Sequence, residues 1–306
     1  MRILGAGLAG LLAGVMLRRY NPRIYEAQGT LPNNHSALLR FRTDAVSRVT
    51  GIPFRSVQVH KAICYKYEII TRPNLKFSNM YAQKVTGEVE SRSISNLDSV
   101  ERFIAPSNLI SLMASGLDIQ YAAPLEELGD IRTEEPTIST IPMPALMKIA
   151  GWYESVKIFR YRVVTTLTAD VVAPLIDVYQ TIYYPGPEIF YRASLTGKHL
   201  IVEFVDSPEL PDHLAIVQRV LMDFGISQPT VENTEVKVRE YGKIAPVAEE
   251  VRKTFILAMS DQHNIYSLGR YGTWRQILLD DVVGDVSIID RMINQRDVYS
   301  KRLQLT

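Results

Sequence analysis

The spacing of apolar residues changes period along this chain, and each change marks an element. Met1-Arg-Ile-Leu4 is a short apolar run that predicts a strand, and the continuous apolar stretch at 11–17 behind it predicts a helix. Arg23-Ile-Tyr-Glu26 reads as a second short strand ending in an acid. A polar, turn-rich loop follows at 29–35, and residues 36–41 are apolar with Arg40 among them. Residues 62–82 alternate between apolar and polar, which predicts strands at 63–65 and 67–70. Residues 106–115 carry a helix pattern with Pro or Ser at its start, 116–121 a strand, and 137–144 a buried strand closed by two prolines.

Past residue 150 the character changes. Residues 156–172 are rich in β-branched and aromatic side chains and read as a long strand, followed by strands near 178–184, 188–193 and 199–205 with turn signals between them. That pattern predicts an antiparallel sheet. Leu214, Val217, Val220 and Leu221 lie at helical spacing within 212–224. The chain closes with a strand at 264–269 and a helix at about 280–293, marked by Val282, Val283, Val286 and Ile289. The fold class implied is α/β: a Rossmann-like nucleotide-binding domain with a parallel sheet, plus an inserted antiparallel-sheet domain that carries the substrate. The first is expected to be discontinuous, at 1–60, 100–150 and 240–306, and the second to occupy 61–99 and 151–239.

Composition changes that picture little. A chain of 306 residues with 46% hydrophobic and 22% charged residues suits one large or two medium domains with real cores. The N-terminal apolar run stops at Arg18, short of the roughly 18 uncharged residues that a membrane helix needs. A secretory signal is the bland reading of that run, but it holds Gly5, Gly7, Gly10 and Gly14 and leads into a strand. Cys64 is the single cysteine, so an internal disulfide is ruled out, and its apolar neighbours make it a buried small side chain. The five histidines show no pair at helical ligand spacing, so no metal site is expected. Everything fits a cytoplasmic protein without membrane or metal.

The chemistry-bearing motif sits between the first strand and the first helix. Gly5-x-Gly7-x-x-Gly10 in that context, with Glu26 at the end of the next strand, is the pattern of a dinucleotide-binding unit. Gly5 permits the tight turn, Gly7 lets backbone approach a pyrophosphate, and Gly10 lets helix and strand pack closely. The helix N-terminus, at Leu8, Ala9 and Gly10, offers unpaired N–H groups and its dipole to the anion, and Glu26 is placed to accept from a ribose. The junction at 269–281 offers a second helix N-terminus to the same cofactor.

Charge is divided unevenly. Residues 1–76 hold twelve Lys and Arg against Glu26, Asp44 and Glu68, while the rest of the chain is acidic and the whole carries +1. Ordinary solvated arginines are one account. A basic face for an anionic substrate, a nucleotide or nucleic acid, is the other, since Arg40, Arg42, Arg48 and Arg55 exceed what a cofactor diphosphate needs.

Three segments together resemble one family, the FAD enzymes that include amine oxidases, protoporphyrinogen-oxidase-like proteins and UDP-galactopyranose mutases. They are the glycine motif with Glu26; Ile138-Ser-Thr-Ile-Pro142-Met-Pro144; and Tyr241-Gly-Lys-Ile-Ala-Pro246 followed by Asn264-Ile-Tyr-Ser-Leu-Gly269-Arg270-Tyr-Gly272-Thr-Trp274 and the closing helix. The resemblance implies non-covalent FAD, with Gly269 and Arg270 against its phosphates and flavin, Trp274 beside it, and the last helix aiming its N-terminus, at Asp281, towards the ring. A Gly-Gly pair with an arginine usual in the family is replaced here by His35-Ser-Ala-Leu-Leu-Arg40, which leaves Arg40 as the candidate for that arginine's role. Tyr191 and Arg192 resemble a substrate-facing strand, and Tyr241 and Lys243 precede the flavin segment, Lys243 as a base or a carboxylate ligand.

The activity implied is flavin-dependent chemistry at a C–N bond of an amine or amino-acid-like group. The chain is also similar to bacteriophage flavoproteins that trim amino acids attached to thymine bases as lyases, which would make double-stranded DNA the substrate and the host cytoplasm the location. A sugar-nucleotide mutase using reduced flavin, and a non-catalytic flavin-binding protein, are the alternatives.

Overall fold

The computed structural model describes residues 1–31, 40–89, 93–131, 134–173, 176–207, 209–210 and 212–304, with the side chains of 93 and 297–304 outside that description. Residues 32–39, which include most of His35-Ser-Ala-Leu-Leu-Arg40, thus fall outside the described residues.

The chain opens with β1 (Arg2–Leu4), α1 (Leu8–Met16), β2 (Arg23–Tyr25), β3 (Arg40–Phe41) and α2 (Ala45–Thr50). Next come β4 (Arg55–Tyr65), β5 (Glu68–Ile70), α3 (Leu75–Thr86), β6 (Val100–Ile104), α4 (Leu109–Ala114) and β7 (Asp118–Gln120). The middle holds β8 (Thr137–Ser139), α5 (Met143–Ile149), α6 (Tyr153–Val156), β9 (Tyr161–Ala173), β10 (Val178–Tyr183), β11 (Phe190–Gly197) and β12 (His199–Val205). The last part is α7 (His213–Asp223), β13 (Thr230–Ile244), α8 (Glu249–His263), β14 (Ile265–Ser267), α9 (Gly269–Gly272) and α10 (Leu279–Gln304).

Two sheets organise these elements. A five-stranded sheet has the order β14-β8-β1-β2-β7, and every pairing in it is parallel. The order reverses direction beside β1, so the carboxyl ends of its strands flank a crevice, the place where open parallel sheets bind ligands. Helices α1 and α10 pack on one face: Leu11, Leu12 and Ile24 share a core with Val282, Val286 and Ile293. On the other side Met143, Met147, Phe255, Met259 and Trp274 form a second core against Leu4 and Ile265. The α/β class with an inserted sheet is what the structure shows.

The second sheet follows the path β13-β9-β12-β11-β10-β4-β6-β3, with β5 on β4. It is antiparallel apart from the β10–β4 pair, which runs parallel because β4 arrives from the first part of the chain. The strands at 40–41, 55–60 and 100–104 belong to this sheet, although the sequence places those residues in the nucleotide-binding unit. Its two faces are covered by α7, through Val217, Val220 and Leu221, and by α3, through Tyr81 and Val85.

Candidate functional site

Each glycine of the turn after β1 has a different physical reason. Gly5 has φ +96, a region that L side chains rarely adopt, and a Cβ on it would lie 2.3 Å from Thr140 Oγ1. That hydroxyl donates to the Leu4 carbonyl at 2.8 Å and ties β1 to the end of β8. A Cβ on Gly10 would lie 1.9 Å from the Gly5 carbonyl oxygen, so α1 sits directly on the turn. Gly7 is unlike both. It has ordinary φ −70, and a Cβ on it would meet nothing within 4 Å. Gly7 is also the N-cap of α1, and no side chain caps that helix, so the first-turn N–H groups at Leu8, Ala9 and Gly10 lack a side-chain acceptor. Glu26 is only 6% exposed; its carboxylate accepts from the Ala6 N–H at 2.7 Å and the Gln28 N–H at 3.0 Å. It fixes the shape of the turn from below.

A cleft of about 360 Å³ opens over this turn, between Gly7, Leu8 and Ala9 on one wall and Leu268–Tyr271 with residues 277–280 on the other. Gly269 has φ +79, and a Cβ there would come 2.8 Å from the Ala9 Cβ, so the two glycine segments meet at the cleft floor. Arg270 reaches the Gly242 carbonyl with Nη2 at 3.4 Å, while its Nε is buried without a hydrogen-bond partner among the described residues. An unsatisfied buried donor of this kind costs about 1–3 kcal/mol unless something accepts from it. The cleft therefore has an uncapped helix N-terminus in one wall and Arg270 in the other, a combination suited to an anion.

Three other residues that the family resemblance puts at the cofactor are otherwise engaged. Arg40 lines the cleft, but its guanidinium turns into the large sheet and donates to Thr196 Oγ1 at 2.5 Å, Thr181 Oγ1 at 2.6 Å and the carbonyls of Leu195 and Gln180. Burial, with repulsion from Arg192, brings it down to about 10. Trp274 is 2% exposed, donates its indole N–H to the Ala245 carbonyl at 3.0 Å and stands edge-on to Phe159, which makes it a core residue beneath the site. Asp281 accepts from the Leu278 N–H at 2.8 Å and pairs with Arg42 at 2.5 Å. Asp280 beside it accepts from the Arg42 and Thr43 N–H groups and the Thr43 hydroxyl, which fastens the start of α10 to the β3–α2 segment.

A second cavity, of about 370 Å³, lies on the other side of residues 239–246 and is lined by Arg160, Tyr161, Arg162, Lys243 and Gln276, among others. The candidate catalytic residues divide around it. Tyr241 touches Tyr161, a wall of this cavity, with ring centroids 4.6 Å apart, and Tyr271, a wall of the cleft, at 6.1 Å. Burial raises the Tyr241 phenol, and a hydrogen bond to Glu240 pushes Tyr161 up to about 12. Lys243 holds its ammonium 4.9 Å from the Tyr191 ring. Tyr191 itself is 1% exposed and donates to Glu203 at 2.8 Å, while Arg192 takes the other Glu203 oxygen. Burial works to raise the Glu203 carboxyl, but Arg192 and Lys243 outweigh it and hold the group well below the usual carboxylate range. Tyr191 is thus buried beneath Lys243, and the half-buried Arg192 is tied to Glu203; neither lines the two cavities described. Glu203, Arg160 and Arg239 escape the sequence reading, because none stands in a motif and each is brought in by register; Thr140 and Tyr271 stand in the quoted segments without being singled out there.

The uneven charge finds a structural account here. Arg2 pairs with Glu135, Arg19 with Asp290, Arg23 with Asp118 and Arg42 with Asp281. The basic first part of the chain folds against acids from the later part. No cluster of metal-binding side chains occurs among the described residues, and none of their helices is long and apolar enough to cross a membrane.

Comparison with known proteins finds no matching family model and no matching curated sequence. Solved structures do match. One is a fatty acid isomerase from P. acnes that produces CLA, with TM-score 0.61 and 12% identity, covering 95% of this chain and 97% of that one. Another is a redesigned putrescine oxidase, with TM-score 0.57 and 11% identity over 96% of this chain and 98% of that one. A third is aklavinone-11 hydroxylase solved with FAD and aklavinone, with TM-score 0.51 and 14% identity over 93% and 60%. At such identities the likeness establishes the shared architecture.

Proposed function

We propose that this chain is an FAD-dependent oxidoreductase acting at a C–N bond of an amine or amino-acid-like group. The observation that carries the cofactor is the cleft: an uncapped α1 N-terminus at Gly7, with open space above it, shares the cleft with Arg270, whose buried Nε has no hydrogen-bond partner among the described residues. Those groups fit a diphosphate, the crevice at the carboxyl ends of an open parallel sheet is where such folds bind dinucleotides, and one structural neighbour was solved with FAD. The flavin, when bound, supplies the acceptor for a hydride from the carbon beside the nitrogen. The protein's part is placement. Tyr161, Tyr241 and Tyr271 form an aromatic wall joining the cleft to the second cavity, suited to an amine through the ring faces and able to exclude water. Lys243, steadied by Tyr191 and Glu203, holds a cation at the end of that wall. A substrate amine must shed its proton before it gives up a hydride, so activity should rise with pH until the amine is neutral.

The test is the absorbance spectrum of the purified protein before and after denaturation, then anaerobic addition of amines and amino acids. Flavin bands that leave with the soluble fraction, and bleach on adding one of these compounds, support the reading. A colourless protein that fails to take up FAD sinks it.

A second reading puts the same group on a thymine in double-stranded DNA. What favours it is one exposed segment: Lys66 and Tyr67 at the β4–β5 tip, then Arg72 and Lys76, combine positive charge with an exposed ring. Salt-sensitive binding of duplex DNA, lost in Lys66→Glu/Arg72→Glu, supports it; indifference to DNA at low salt removes it.

A further inference from the structure

We infer that Arg270 is a positioning residue that ties the cofactor to the substrate side of the site. One guanidinium takes the anion in the cleft and, through the Gly242 carbonyl, holds the bulge of β13 that carries Tyr241 and leads into Lys243. The inference rests on the flavoenzyme reading above and says how that site is assembled.

The wall between the two spaces is a backbone segment that has left its ladder. Between Arg239 and Lys243 the pairing of β13 with β9 slips, so Glu240, Tyr241 and Gly242 have no partner residue on β9. Lys243 and Ile244 rejoin it opposite Arg162 and Tyr161, and the Ala245 N–H donates to the Arg160 carbonyl at 2.8 Å. From the other side, the stretch after Gly269 reaches the same segment three times. Arg270 Nη2 donates to the Gly242 carbonyl at 3.4 Å, Gln276 Nε2 to the Ile244 carbonyl at 3.3 Å and the Trp274 indole N–H to the Ala245 carbonyl at 3.0 Å. Residues 244 and 245 are thus fixed from both sides. The bulge at 240–242 receives one hydrogen bond from that stretch, the longest of the three, and it comes from Arg270.

Arg270 has donors to spare. A guanidinium carries several N–H donors in a rigid planar fork. The bond to Gly242 is its one hydrogen bond among the described residues, and its Nε is buried with no partner there. The residue lines the cofactor cleft beside Gly269. An anion in the cleft gives the remaining donors an acceptor, and in a rigid fork fixing one edge fixes the other. The Gly242 carbonyl is then held in one place, and its two neighbours carry the consequence. Tyr241 packs on Tyr161, a wall of the second cavity, and Lys243 lines that cavity. Occupancy of the cleft is thereby passed to the wall of the cavity, which takes its working shape only after the cofactor has bound. A lysine in place of Arg270 supplies the charge but, as a point donor, cannot span the anion and the carbonyl.

The experiment follows backbone amide exchange by mass spectrometry on the full-length protein. ADP is the probe, because it carries the diphosphate without the flavin, and its affinity is measured by calorimetric titration. In wild type, saturating ADP should slow exchange across 239–246 by about threefold or more, beyond any slowing in α7. Helix α7 serves as the reference because it lines neither cavity. Arg270→Lys should bind ADP within about tenfold of wild type and yet show no such slowing. Arg270→Met should bind ADP more weakly still and, at saturating ADP, also show none. Wild-type exchange in α7 of both variants establishes that they are folded. ADP that binds wild type without slowing 239–246, faster exchange there on binding, or slowing that persists in both variants overturns the inference and leaves the cofactor reading standing. Failure of wild type to bind either ADP or FAD overturns both.

Discussion

At the scale of single residues, the glycine turn separates fold from function. Gly10→Ala places a methyl group 1.9 Å from the Gly5 carbonyl, against backbone that has nowhere to go. Overpacking of this kind costs about 1–3 kcal/mol or more, so we expect a clear drop in Tm along with loss of FAD uptake. Gly7→Ala meets nothing within 4 Å and keeps an allowed φ of −70. That variant should melt within about 2 °C of wild type yet bind FAD at least tenfold more weakly, because the methyl group occupies the approach of the anion. Equal FAD affinity in Gly7→Ala would remove the cleft from consideration. Lys84 gives a residue-scale test of burial. Its ammonium donates to the carbonyls of Tyr184, Gly186 and Phe190, and burial brings it from 10.5 down to about 8. Between these values the unfolded chain binds more protons than the folded one, so stability rises with pH across that window. The difference in unfolding free energy between wild type and Lys84→Met should therefore grow from pH 8 towards 10.5, as read by urea melts; a flat or falling difference contradicts the burial.

At the scale of elements, β13 does most to shape the site. Between Arg239 and Lys243 its pairing with β9 slips, and Gly242 lies in that bulge. A Cβ on Gly242 would meet Val164 Cβ at 2.3 Å and its backbone nitrogen at 2.8 Å. Gly242→Ala should force β13 off β9, shifting Tyr241 and Lys243 together. We expect flavin binding to fall, with a Tm loss of several degrees. The local units around β1, α1, β2 and β8 were legible because each follows from a short motif whose glycines, acid and prolines have fixed mechanical duties. α3 was not: Phe77, Met80 and Tyr81 prolong the apparent alternation of 62–82, and the helix exists because Tyr81 and Val85 pack on Tyr183, Tyr191 and Ile63. α8 and the start of β13 went unread because their faces are largely solvated and show little apolar periodicity. The candidate site was legible in the same proportion. Gly7 and Arg270 stand in motifs, whereas Glu203 and Arg160 matter only once β9, β11, β12 and β13 come into register.

At the scale of the whole molecule, the charge split that suggests a nucleic-acid face in the sequence is partly consumed by folding. Arg2, Arg19, Arg23 and Arg42 each meet a carboxylate from beyond residue 100. Such largely exposed pairs are worth about 0–1 kcal/mol each, so they orient the returning chain more than they stabilise it. Lys66, Arg72 and Lys76 stay exposed on one contiguous segment with no ion pair among the described residues. This sets a bound on the DNA reading. Each phosphate neutralised contributes a slope of about −0.9 to the dependence of log affinity on log salt, so three contacts predict a slope near −3. A measured slope of that size, flattened by Lys66→Glu/Arg72→Glu, places duplex DNA on the β4–β5 tip. A slope much steeper than −3 would require the paired arginines to exchange their carboxylates for phosphates, and Arg42→Gln or Arg23→Gln would then reduce it. Affinity that ignores salt altogether is inconsistent with phosphate contacts and leaves the substrate as a free small amine.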